Sequence, residues 1–165
     1  MALIDWRREL SLGIPSIDEQ HQGLIVLVNR IEEEISGGTT RVSCLGSFFF
    51  ELIRTTQQHF AHEEALFART GYHCTAAHGA NHSLLLRQLW GSRQAFDVGQ
   101  RTLSVRLMVF LGGWLTSHIE GADQRYAAFM RGELPSHSAG RRLDAVGVAS
   151  DMALPVLCGG SVLVA

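Results

Sequence analysis

Apolar positions recur at intervals of three and four through most of residues 17 to 131, the spacing of one helix face rather than the alternation of a strand. Ile17, His21, Leu24, Ile25, Val28, Ile31 and Ile35 form the first such stripe, and Gly37-Gly38 ends it. A second stripe, from about Ser43 to Arg69, carries Leu45, Phe48, Phe49, Leu52, His59, Glu63, Leu66 and Phe67 and closes at Gly71. The third takes Ala76 to about Asp97, with His78, His82, Leu85, Leu86 and Leu89 inward and Gly99 at the turn. The fourth, roughly Thr102 to Met130, carries Leu107, Phe110, Leu111, Trp114, His118 and Ile119, and Gly132 with Pro135 stops it. Short connections make neighbouring helices run in opposite directions, so the pattern predicts an all-α fold, an antiparallel up-down four-helix bundle.

The two ends of the chain follow other patterns. Residues 1–16 hold Trp6, Leu10, Leu12, Ile14 and Pro15 and read as an N-terminal arm with enough apolar surface to pack on the bundle of residues 17–131. Residues 132–165 read as a C-terminal tail, expected to be poorly ordered or docked. From Ser136 onward Gly, Ala, Val and Ser dominate without amphipathic period. The final ALPVLCGGSVLVA is apolar, but a bilayer span needs about 20 apolar residues.

Composition narrows the classes. A chain of 165 residues with 46% apolar and 18% charged residues suits one soluble domain with a sizeable core. Fourteen basic against sixteen acidic residues leave a net charge of −2 and no basic stripe to neutralise phosphates, which argues against nucleic acid. Cys44, Cys74 and Cys158 have no CxxC spacing, so neither a disulfide framework nor a thiolate zinc site is expected. Asp5, Arg7, Arg8 and Glu9 stand where a signal peptide needs its apolar segment, and a cytoplasmic location is expected.

The chemistry lies in the eight histidines and their placement. Residues four apart on a helix lie within about 40° of one another, so His59 with Glu63, and His78 with His82, can each aim at one centre. The first helix adds His21 and the fourth adds His118 and Asp123. A single histidine on an apolar face is more often a hydrogen-bonded core residue than a ligand. Seven imidazoles and carboxylates converging among Leu, Ile, Phe and Trp are different, because each is costly to bury unpaired. Five imidazoles and two carboxylates without thiolate suit a borderline ion such as iron and exceed the four ligands of a closed zinc site, which implies two metals.

With these residues in view, the chain resembles the hemerythrin family, in its bacteriohemerythrin branch, over about residues 4 to 131. The resemblance is carried by GIPSIDEQH (13 to 21), HFAHEE (59 to 64), HGANH (78 to 82) and WLTSHIEGAD (114 to 123). It implies two iron ions bridged by oxo or hydroxo. His78, His82 and His118 would hold one, His21 and His59 the other, and Glu63 and Asp123 would bridge both. The first iron is then six-coordinate and the second has an open position for a small ligand. In the family that ligand is dioxygen, bound reversibly as a hydroperoxide for storage, delivery or sensing. Trp114 and Ile119 flank His118 and are the candidates for contact with the cofactor, Ile119 resembling the family's oxygen-pocket residue. Two alternatives are a di-iron enzyme acting on peroxide or nitric oxide and a redox- or oxygen-sensing interaction module. The few anionic donors disfavour vigorous oxidation chemistry.

His118 and Asp123 are five apart, about 140° on an ideal helix, so a local π-type widening is expected, with Gly121 easing it. Glu64 is expected to be solvated or to sit behind a ligand, His62 to lie outside the site, and His73 to be a surface residue. Gly112-Gly113, inside a helix at about 1 kcal/mol each relative to alanine, allows close packing or a gap that admits ligand.

Overall fold

The computed structural model describes residues 2–38, 42–73, 75–99 and 103–134. Helix α1 (Pro15–Gly37) starts with proline in its first turn, where the missing N–H is no loss, and stops at Gly38, whose φ of 66° is left-handed. Helices α2 (Val42–Thr70) and α3 (Thr75–Asp97) follow the expected stripes to within a residue or so. The fourth rod begins later than the apolar pattern suggested. Helix α4 (Val105–His118) is capped by Ser104, whose Oγ accepts from the Leu107 N–H at 3.3 Å. The rod continues through a π-helical turn, Ile119–Asp123, into α5 (Gln124–Met130).

The rods form the antiparallel bundle: α1 packs on both α2 and α4, and α2 packs on α3. Ile17, Ile31, Phe49, Ile53, Phe67, Leu89 and Met108 fill the interior with 2% exposure or less. No described helix is long and apolar enough to cross a membrane. Residues 135–165, with His137 and Cys158, lie outside the described residues, as do Cys74 and Thr102.

Ahead of α1, a 3-10 turn (Arg8–Leu10) and its flanks run against the bundle. Leu10 and Leu12 are buried, and Asn29 on α1 grips Ile4 twice, accepting from its N–H at 2.9 Å and donating to its carbonyl at 2.8 Å. A Cβ on Gly112 would meet Ile4 at 3.1 Å. That face of α4 is therefore closed by side chains, and the structure favours close packing over a ligand gap at Gly112.

Candidate metal centre

Three layers stack along the bundle axis, one helical turn apart. The middle layer is His21, His59, His82 and His118, one histidine from each rod, none more than 7% exposed. Stepping three residues back on α2 and α4 and three forward on α1 and α3 reaches Thr56, Leu115, Leu24 and Leu85. Stepping the other way reaches Glu63, Asp123 and His78, all buried. Antiparallel order makes these opposite steps point the same way, so the sequence intervals become layers.

The structure brings all seven candidate residues together. The Nε2 atoms of His82 and His78 each lie 3.0 Å from His118 Nε2, and those of His21 and His59 are 3.2 Å apart. Around an ion with metal–nitrogen distances of about 2.1 Å, ligands at right angles stand about 3.0 Å apart. Asp123 spans the two histidine groups: Oδ1 is 3.1 Å from His78 Nε2 and 3.2 Å from His118 Nε2, whereas Oδ2 is 3.4 Å from His21 Nε2. Glu63 Oε2 lies 3.4 Å from His82, 3.6 Å from His59 and 3.7 Å from His78.

Asp123 reaches this position through the π turn. The five-residue spacing from His118 required a widened turn, and the π geometry of Ile119–Asp123 supplies it. Gly121 is not needed there for space, since a Cβ would meet nothing within 4 Å.

Among the described residues, the oxygens of Glu63 and Asp123 meet only the surrounding imidazoles, at 3.1 Å or more, despite complete burial, and His21 Nδ1 has no partner. Buried carboxylate oxygens almost always find a donor. Two ligand groups share Glu63, one with His78, His82 and His118 and one with His21 and His59, and cations held there would satisfy the carboxylates, so the residues present fit a metal pair.

Outer contacts orient the imidazoles. His59 Nδ1 donates to Gln20 Oε1 and His82 Nδ1 to Glu64 Oε1, each at 3.0 Å, which leaves their Nε2 lone pairs inward. Phe60 stacks on His82 at 3.7 Å and Trp114 on His118 at 4.4 Å. Glu64 thus sits behind a histidine, half-exposed. His62 bonds Ser16 Oγ at 3.1 Å outside the centre, and His73 is exposed beside Tyr72 and Phe129. Gln20, partly buried in the fold, had no sequence signal, because a glutamine beside a histidine reads like any surface residue.

Protonation without metal follows from these contacts. Burial lowers His59 to about 4 against the opposing pull of Glu63. For His78 burial also lowers, but Asp123 and Glu63 outweigh it and raise the group to about 9. Burial would raise both carboxylates, yet His78 and His82 bring Glu63 to about 2, and His118, His21 and His78 hold Asp123 well below the usual range. The metal-free centre therefore holds a protonated His78 against two carboxylates, and a metal must displace that proton.

The layers on either side differ. Against His78 lies a plug of rings, Phe67, Tyr72 and Tyr126, with Phe67 4.7 Å from the imidazole. On the other side Leu24, Thr56, Phe60, Leu85, Trp114 and Leu115 border an apolar cavity of about 20 Å³. Thr56 Oγ donates to its own helix at Leu52 O, 2.8 Å away, so the one hydroxyl in the lining is already engaged.

Residues 12–130 match the family profile described as the hemerythrin HHE cation binding domain. The chain belongs to the hemerythrin family. A bacteriohemerythrin of Stenotrophomonas maltophilia (strain R551-3) is 33% identical over 134 residues, covering 81% of this chain and 86% of that protein. One of Pseudomonas aeruginosa (strain LESB58) is 30% identical over 131 residues, covering 79% and 84%. A crystal structure of wild-type hemerythrin superposes with a TM-score of 0.73 at 28% identity, covering 76% of this chain and 96% of that one.

Proposed function

We propose that this hemerythrin-family chain is a non-haem di-iron protein that binds dioxygen reversibly. His78, His82 and His118 would hold one iron and His21 and His59 the other, with Glu63 and Asp123 shared. When bound, the pair supplies reversible electron transfer to and from dioxygen. The observation that carries the reading is the apolar cavity one turn from the four-histidine layer. A void that size, lined by apolar groups and one self-bonded hydroxyl, takes a small uncharged molecule more readily than a hydrated one.

The chain's own residues shape that environment. Leu24, Phe60, Leu115 and Trp114 exclude bulk water, and Ile119, with no exposed surface, closes the flank of His118. Two dications against two carboxylates leave a net charge of about +1 once a hydroxide bridges them. Such a site favours reversible binding over strongly oxidising turnover.

The test is to load the protein anaerobically with ferrous ion and count the metal. Two irons per chain are expected, with a visible charge-transfer band that grows on exposure to air and disappears on deoxygenation. Absence of a reversible band overturns the reading. Nitric oxide is equally small and uncharged, so steady consumption of it with a reductant would move the assignment to an enzyme.

A further inference from the structure

We infer that the arm ahead of α1 is a strap that sets Asp123 against His21, and that Gln124 is the positioning residue through which it acts. The inference rests on the metal reading above and extends it to residues that touch no metal.

The argument begins with the π turn. A π-helical segment inside an α-helix is rare and is found most often at functional sites. Both ends of this one are tied to the arm. At the near end Glu120 accepts from the Arg7 guanidinium at 2.9 Å. At the far end Gln124 spends both hydrogens of its amide on arm carbonyls, those of Glu9 at 3.1 Å and Ser11 at 3.0 Å.

The same stretch of arm is bonded to the start of α1. Asp18 accepts from Ser11 Oγ at 2.7 Å, from Leu12 N at 2.8 Å and from Gly13 N at 3.1 Å. Asp18 lies one turn before His21, and Gln124 directly follows Asp123. Residues 9–13 therefore join the turn that carries His21 to the turn that carries Asp123, and those two side chains face each other at 3.4 Å. Leu10, with no exposed surface, anchors the strap between them. The contact between His21 Nε2 and Asp123 Oδ2, at 3.4 Å, is longer than any hydrogen bond of the strap and does not by itself fix the two side chains. Their mutual placement is left to packing and to the strap.

Asn29 supplies an internal control. It grips the arm at Ile4, which packs beside Gly112 on α4, so Asn29→Ala loosens the arm without removing either Gln124 hydrogen bond. The probe is cobalt(II), whose visible bands report coordination geometry, together with its rate of release to a chelator. Gln124→Ala is expected to shift those bands and speed release about tenfold, in the range seen when an outer partner of a metal ligand is removed, with helicity unchanged. Gln124→Lys keeps donors for both carbonyls and should restore the spectrum, whereas Gln124→Glu should not. Asn29→Ala should lower the thermal midpoint and leave bands and release as in the parent.

If Gln124→Ala releases cobalt at the parent rate with an unshifted spectrum, the strap has no positioning role. Equal acceleration by Asn29→Ala overturns it as well, because the arm would then act through stability alone. A parent protein that takes up no cobalt instead sinks the metal reading on which the inference stands. Should Gln124→Ala not fold, Arg7→Ala, at the exposed end of the same turn, must produce a smaller shift of the same bands or the inference falls.

Discussion

The two sides of the histidine layer are both buried, but one is packed with rings and the other mainly with aliphatic side chains. Toward His78, Phe67, Tyr72 and Tyr126 fill the bundle with rings in mutual contact. Toward His82 and His118, Phe60 and Trp114 stack on the imidazoles instead of on one another, their centroids 6.0 Å apart, and the aliphatic layer beyond them leaves a void. Protein interiors seldom leave such space unfilled. One side therefore holds the centre in place, and the other leaves room for a small molecule.

The comparison breaks most decisively at the centre itself. Glu63→Gln and Asp123→Asn keep the shape and remove the charge, and each should reduce bound iron from two per chain to one or none by elemental analysis. Retention of both irons in either variant would mean that the carboxylates are not shared between them.

Next in size is packing. Phe67→Ala removes a ring from the filled side and should lower the stability of the metal-free protein by about 3–5 kcal/mol, read from denaturant unfolding. Leu115→Ala enlarges a void that already exists. It should cost less, about 2–3 kcal/mol, while speeding loss of the oxygenated spectrum as water enters. Equal losses of stability would show that the two sides are packed alike.

The pH response is smaller and separates the histidines. His78 stands at about 9 in the metal-free fold, held there by Asp123 and Glu63 against burial, so it is protonated near neutrality. Its contribution to metal-free stability is full below the unfolded value of 6.5 and is lost as pH rises through about 9. Metal uptake near pH 7 should release about one proton from this group, and affinity should rise about tenfold per pH unit up to that value. A pH indicator in weak buffer measures the release. His59 runs the opposite way: lowered by burial to about 4, it makes the metal-free fold less stable as pH falls from 6.5 toward 4.

The smallest effect belongs to Thr56→Val. Its hydroxyl is bonded within its own helix, so stability should change by less than about 1 kcal/mol and ligand uptake should be unchanged. A large shift in ligand uptake would show that the hydroxyl anchors a water molecule after all.

Much of this was legible in the chain because helices convert sequence interval into direction. His59 with Glu63, and His78 with His82, could be aimed at one centre from the four-residue spacing alone. The five-residue step from His118 to Asp123 demanded a π turn before one was seen. The outer partners could not be found that way. Glu64 and Gln20 are surface residues by composition, and only the neighbouring rod brings an imidazole N–H to each. Gly112 was ambiguous for the same reason, since Ile4, the residue that closes over it, lies more than a hundred positions away in sequence.

By itself the sequence determined the four rods, their antiparallel order and the inward direction of each candidate ligand, because all three follow from periodicity and short connections. The tertiary structure alone decided the strap from Asp18 to Gln124, the outer partners of the imidazoles, and which side of the histidine layer was filled. Those features depend on how distant side chains share volume and hydrogen bonds, and no local interval encodes that.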